Sequence, residues 1–186
     1  MARTRARTKQ GVDAGAEPAT ELDGRKMGIR VHKLIGAMAE AGVRGPDPAT
    51  VFDWVSRQEY PARASYLLGA RQRLITAASI YFRLYEEPSW QLIGTEVSVR
   101  TCRFDLVWRT SDGAVICDEI KSGRVGVELS RRRIDEQAQR QVDNGRKEWG
   151  EDFGGVRVLF TYWPRQSFLA LPTGEIELLF PESDDE

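Results

Sequence analysis

The sequence predicts an α/β domain in which helices cover a single sheet, and three observations carry the prediction. From residue 62 onward the chain reads helix, three strands, helix, strand, an order that layers helices around one sheet. The three strand segments are short, rich in β-branched and aromatic residues, and separated by turn residues. The segments on either side of them recur in apolar residues at helical rather than alternating spacing.

Taken in order, the first periodic segment starts near Lys26, with Met27, Val31, Leu34, Ile35 and Met38 on one stripe, and stops at Gly42. Gly45-Pro46-Asp47-Pro48 reads as a loop and Thr50 to Arg57 as a short helix. A longer helix, Ala62 to about Tyr85, carries Leu67, Leu68, Leu74, Ile75 and Ala78 and ends at Glu87-Pro88. Strands follow at Leu92 to Val99, Cys102 to Trp108 and Ala114 to Lys121. Ser130 is a good N-cap for a helix running to about Trp149, and Val156 to Trp163 returns to strand. Ser167 to Leu171 and Glu175 to Phe180, separated by Pro172-Thr173-Gly174, read as strands at the sheet edge.

At 186 residues and 41% hydrophobic content, the chain is long enough for one domain with a core and too short for two comfortable ones. The net charge of -1 hides a polar distribution, with Arg3, Arg5, Arg7 and Lys9 crowding one end and Glu182, Asp184, Asp185 and Glu186 the other. Neither end has apolar periodicity, so residues 1–24 are expected to form a flexible basic arm, 25–181 the domain, and 182–186 an acidic disordered tail. No run approaches the roughly 18 apolar residues of a membrane span, and no apolar signal region follows the Arg-rich start. A cytoplasmic protein without a membrane partner is expected. Cys102 and Cys117 fall inside strands and read as reduced core thiols.

The chemistry concentrates between residues 104 and 123. A hairpin turning at Ser111-Asp112-Gly113, with Gly113 in the left-handed position, pairs Thr110 with Ala114. Counting outward sets Asp105 opposite Glu119, and the period of two puts Glu119 and Lys121 on one face. Like charges directly opposed destabilise a sheet, and a hard divalent cation taking oxygen ligands gives the pair a reason to exist. Phe104, Leu106 and Trp108 are expected to point away from Asp105, and Val107, Val115 and Cys117 to share its face, so cover is expected on both sides.

Four further features surround this pattern. Glu96, one strand earlier, is a secondary metal or water contact, or an exposed strand residue. His32, the only histidine, lies beside the apolar stripe of its helix among Gly28, Gly36 and Ala39, a strip suited to close contact, and a neutral imidazole can add a metal ligand. On the helix after the hairpin, Gln141 projects into the apolar stripe and Gln137 lies at its margin, where an amide could hold a phosphate, a base or the lysine. Arg133, Arg140 and Asn144 flank that margin as donors suited to a nucleic-acid backbone, and Arg131-Arg132-Arg133 is unfavourable at a helix N-terminus unless a polyanion compensates it.

With these residues in view, the chain resembles the PD-(D/E)xK nuclease superfamily, and within it the RecB-like branch. The likeness covers roughly residues 27 to 163 and rests on Gly28 to His32, Asp105, Glu119-Ile120-Lys121, and Gln137 or Gln141, in that order. The tyrosine that often follows the glutamine in that branch is missing at the usual spacing, and Gln141 stands there instead. The resemblance implies a restriction-endonuclease-like αβββαβ core, a central mixed sheet flanked by helices, with extra N-terminal helices. It implies one or two Mg²⁺ or Mn²⁺ ions on His32, Asp105, Glu119 and the Ile120 carbonyl, with Lys121 beside the attacking water. No iron-sulfur cluster is implied, because the four cysteines that some relatives carry are lacking. The expected activity is hydrolysis of DNA phosphodiester bonds, by an exonuclease or an endonuclease of phage, mobile-element, defence or repair type. RNA as substrate stays open, as does a non-catalytic nucleic-acid-binding or assembly subunit that keeps the fold. With no helicase motif, P-loop or separate DNA-reading module in so short a chain, a larger protein partner is expected to supply loading and specificity, and a homo-oligomer is the other association left open.

Overall fold

The computed structural model of the protein describes residues 24–58, 64–123 and 128–181. The acidic tail expected over 182–186 lies outside them, as does the basic arm expected over 1–24 except for Gly24, which opens the first helix. Helix α1 spans Gly24–Glu40 and buries the predicted stripe of Met27, Val31, Leu34, Ile35 and Met38. It ends at Gly42, whose φ of +70° lets Val43 N–H donate to Met38 O at 3.0 Å and Gly42 N–H to Ala39 O at 3.0 Å. That pair of bonds is a glycine-terminated Schellman cap. Helix α2, Pro48–Ser56, starts on Asp47, whose side chain accepts from Thr50 N–H at 2.7 Å, with Pro48 in the first turn, where its missing N–H costs nothing. Helix α3 spans Ala64–Leu84.

Strands β1 (Gln91–Val99), β2 (Cys102–Arg109) and β3 (Val115–Lys121) form an antiparallel meander. Helix α4 (Glu128–Trp149) then leads to β4 (Phe153–Phe160), which pairs with β3 in parallel, as a helical crossover requires. Short strands β5 (Phe168–Ala170) and β6 (Ile176–Leu178) add antiparallel at the edge, so the six-stranded mixed sheet runs in sequence order. Helices α1 to α3 cover one face together with Leu106, Trp108, Ile120 and Leu159, and α4 covers the other over Val107, Cys117, Val156 and Val158. The helix, three-strand, helix, strand order is therefore that of an αβββαβ core with two helices before it.

Several boundaries differ from expectation: α2 starts at Pro48 ahead of Thr50, β4 ends at Phe160 ahead of Trp163, β6 is shorter than Glu175 to Phe180, and two differences matter more. Helix α4 begins at Glu128, so Ser130 lies within it and is not its N-cap. Strand β4 begins at Phe153, ahead of the predicted Val156, because Gly154-Gly155 conceals the strand in sequence. Gly155 adopts φ +135° beside a register shift, and a Cβ there would lie 2.6 Å from Ala170 O, so glycine is what lets β4 meet β5.

An unforeseen buried network pins β3 in place. Asp118, with no exposed surface, accepts from Arg157 Nε at 2.7 Å and Nη2 at 2.9 Å, from Tyr81 OH at 2.7 Å and from Trp108 Nε1 at 2.9 Å. Arg157 also donates to Tyr85 O and lies over the Trp90 ring. Burial, the largest single influence, lowers the Arg157 pKa, but the charge and hydrogen bonds of Asp118 together with Tyr81 and Glu87 outweigh it and hold the guanidinium above its ordinary value. The network ties α3, β2, β3 and β4 together on the face opposite Glu119.

Candidate active site

The hairpin turns as expected: Thr110 N–H donates to Ala114 O at 2.8 Å and Gly113 has φ +97°. The β2–β3 ladder runs from Arg109↔Val115 to Leu106↔Asp118, and then the pairing stops although both strands continue. The register would set Asp105 opposite Glu119, and the fork opens at that step. Asp105 Oδ2 fills it by accepting the Ile120 N–H at 2.7 Å, in place of the next β2 carbonyl of the ladder. Both carboxylates are buried, Asp105 at 5% and Glu119 at 7% exposure, so neither is a solvated surface charge.

Side chains from both helical layers reach this fork. From α1, His32 Nδ1 lies 3.1 Å from Asp105 Oδ1, with a further hydrogen bond to the Ile120 backbone. Burial pulls the His32 pKa down, but the hydrogen bond to Asp105, the charges of Asp105 and Glu119 and the Ile120 backbone bond together outweigh it and hold the imidazole above its ordinary value. The small-residue strip beside His32 serves close approach: a Cβ on Gly36 would touch Thr95 of β1 and one on Gly28 would touch Ser122, each at 3.4 Å. From α4, Gln137 Oε1 accepts from Lys121 Nζ at 2.8 Å, and Lys121 Nζ also donates to Glu119 Oε1 at 2.7 Å. Gln141 Nε2 donates to Glu119 Oε2 at 2.6 Å and to Arg103 O at 3.2 Å. One amide therefore holds the lysine and the other holds the glutamate.

Glu96 joins the same row. Thr95 pairs with Leu106, so Glu96 falls opposite Asp105, and three carboxylates stand abreast on β1, β2 and β3. Glu96 has φ +51°, a left-handed conformation uncommon for a non-glycine residue, and it interrupts the alternation of both strands. Val97 and Phe104, whose parity predicts the face of Thr95 and Leu106, pack instead in the α4-side core, with Phe104 5.7 Å from the Trp149 ring centroid. That corrects the expectation that Phe104 points away from Asp105's face. The row of like charges is offset by Lys121 on Glu119 and Arg103 Nε 2.8 Å from Glu96 Oε2, and by His32 on Asp105 when the imidazole is protonated.

His32, Arg103, Asp105, Glu119, Gln137 and Gln141 line a cleft of about 510 Å³, and Lys121 is hydrogen-bonded to Glu119 and Gln137 of its wall. The donor set suits a hard divalent cation. One ligand atom each from His32, Glu96 and Asp105 lies within 4.8 Å of the others, and Gln141 Oε1 is buried with no hydrogen-bond partner among the described residues. Of the predicted nucleic-acid contacts, Arg140 stands on the cleft wall. Arg131 pairs with Asp135 and lies over Phe168, Arg132 pairs with Glu136, Arg133 is exposed, and Asn144 donates to Arg140 O. Sequence reasoning missed Arg103, Thr101 and Cys102 on the wall. No local signal marks them, because the alternation of β2 is broken at Phe104, between Arg103 and Asp105. Cys102 and Cys117 are both free, and burial raises the pKa of each. No helix among the described residues is long and apolar enough to cross a membrane.

No protein-family model and no curated protein matches the chain. Among solved structures it is similar to EndoMS in a complex with double-stranded DNA, at 27% identity over 40% of this chain and 28% of that one, with a TM-score of 0.30. It is also similar to a repair endonuclease from Pyrococcus abyssi, at 22% identity over 55% of this chain and 38% of that one, with a TM-score of 0.32. The chain thus spans well under half the length of either protein.

Proposed function

We propose that this protein is a divalent-metal-dependent nuclease that hydrolyses phosphodiester bonds of DNA. The observation that carries the reading is the meeting, in one cleft, of Asp105, Glu119 and His32 from three separate elements, with Gln141 of α4 bonded to the glutamate and Lys121 bonded to both Glu119 and Gln137. Asp105, Glu119, the Ile120 carbonyl and a neutral His32 would hold one or two Mg²⁺ or Mn²⁺ ions, with Glu96 as a further contact. Bound there, the metal would supply Lewis acidity to the phosphoryl group and a lowered pKa to water.

The remaining steps belong to the chain's own groups. Lys121 carries three N–H donors, of which Glu119 and Gln137 take two, so one is left for the attacking water or a non-bridging phosphate oxygen. Its positive charge offsets the charge that builds on the phosphoryl oxygens in the transition state. Gln137 keeps the ammonium on the cleft side of Glu119, and Gln141 fixes the other oxygen of that carboxylate. Products with a 5′ phosphate and a 3′ hydroxyl are expected. The test is digestion of plasmid, linear DNA and RNA with Mg²⁺, Mn²⁺ or EDTA: metal-dependent DNA cutting supports the proposal, and metal-independent binding with no cutting refutes it.

A further inference from the structure

We infer that Arg103 is a phosphate-binding residue of the cleft whose guanidinium is held on Glu96 until a divalent ion takes that carboxylate. The inference rests on the nuclease reading of the same cleft and extends it to the way metal and substrate binding are coupled. Arg103 Nε sits 2.8 Å from Glu96 Oε2, yet the arginine side chain is 59% exposed and that of Glu96 36%. A pair built for rigidity would be more deeply enclosed, as Arg157 and Asp118 are on the other face, at 8% and 0%. The closest approach is through Nε, and no hydrogen bond from either Nη to a described residue accompanies it. A guanidinium fork with free donors on a cleft wall matches the geometry of a phosphate.

Three further observations place this arginine in the working site. Gln141, itself bonded to Glu119, donates to the Arg103 carbonyl, so the backbone that carries the guanidinium is tied to the metal-binding row. Gln141 Oε1 is buried beside the same cleft without a partner, so the site has an acceptor waiting for a donor that the described residues do not supply. Glu96 is the carboxylate that stands within reach of both His32 and Asp105, and it is also the one Arg103 occupies. The arginine and a cation are therefore rivals for one carboxylate. An ion on Glu96 neutralises the charge that retains Arg103 and presents the fork to a phosphate, and by linkage a phosphate that draws Arg103 away leaves Glu96 to the ion.

Two titrations test this without reading cleavage. Mn²⁺ is titrated calorimetrically into the protein in the absence of DNA, and a fluorescently labelled hairpin DNA with a single-stranded overhang is titrated by anisotropy in EDTA. Arg103→Ala should bind Mn²⁺ about two- to five-fold tighter, the range an ion pair of this exposure allows. It should also bind DNA more weakly, with a salt slope smaller by about one. Glu96→Gln should do the opposite on both axes, with weaker Mn²⁺ binding and tighter DNA binding in EDTA. Arg103→Lys, which keeps the charge but not the fork, should restore the salt slope and only part of the DNA affinity, and thermal unfolding of all three variants checks that they fold. Arg103→Ala with unchanged or weakened Mn²⁺ affinity, or Glu96→Gln without a gain in DNA affinity, overturns the inference. If those results came with vigorous metal-dependent cutting by the unaltered protein, only the role of Arg103 would fall. If the titrations went as expected but nothing was cut, only the nuclease reading would fall, and absence of any DNA binding would overturn both.

Discussion

Replacing Asp118 with alanine should unfold this protein more readily than any surface change, even though Asp118 faces away from the cleft. The carboxylate is fully buried and takes four hydrogen bonds, two of them from Arg157, which is itself 6% exposed. Removing it leaves a guanidinium uncompensated in the core, a loss of about 3–5 kcal/mol. Tyr81 and Trp108 lose a partner as well, each at about 1–3 kcal/mol if left unsatisfied, but groups of one network are not additive and the charge dominates. For a chain of this size each kcal/mol moves the melting temperature by about 2–4 °C, so a fall of about 6–20 °C is expected in a calorimetric or circular-dichroism melt. The control is Asp118→Leu with Arg157→Met, which removes both charges and should recover much of the loss. A single variant that melts within about 2 °C of the unaltered protein, where a loss below about 1 kcal/mol would put it, would refute the reasoning. So would a double variant no more stable than the single one.

Three other outcomes are expected. Lys121→Ala should leave Mn²⁺ binding and the melting temperature nearly unchanged while removing DNA cleavage, and a variant that cuts like the unaltered protein would reassign the lysine. In metal-free protein the His32 pKa lies above its ordinary value of 6.5, so its charge stabilises the fold fully below that value and the benefit is lost as pH rises through the folded pKa. Because an ion needs the neutral imidazole, the rise in melting temperature on adding Mn²⁺ should grow over the same window, and His32→Gln should flatten both trends. Gly145→Ala sets a helix-propensity gain of about 1 kcal/mol against a Cβ 2.4 Å from the buried Phe153 ring. Overpacking of that kind costs about 1–3 kcal/mol, so the variant should melt lower, and a higher melting temperature would mean that the ring moves freely.

Much of the architecture was readable before any coordinates. The stripe of α1 and the hairpin at Gly113 follow from local rules, and each appears where the spacing predicts it. The reading failed where local rules were broken. Gly154-Gly155 hid the start of β4 because a glycine pair looks like a turn until another strand's carbonyl is seen against it. Glu96 threw the faces of Val97 and Phe104 out of phase, since no residue type announces a left-handed glutamate. Asp118 and Arg157 were invisible as a pair because they lie 39 residues apart.

Residue chemistry and periodicity carried the layered α/β order and the placing of Asp105, Glu119 and Lys121 on adjacent strands, because strand parity and helical phase are local, while the family resemblance singled out His32, Gln137 and Gln141 beside them. Only the packed molecule decided that β2 and β3 part at Asp105, that α1 and α4 reach one cleft from opposite layers, and that Arg103 rather than Arg131 or Arg132 joins Arg140 on its wall. Periodicity assigns a side chain to a face of its own element. Which elements meet, and where a ladder opens between them, depends on the twist and packing of the whole sheet.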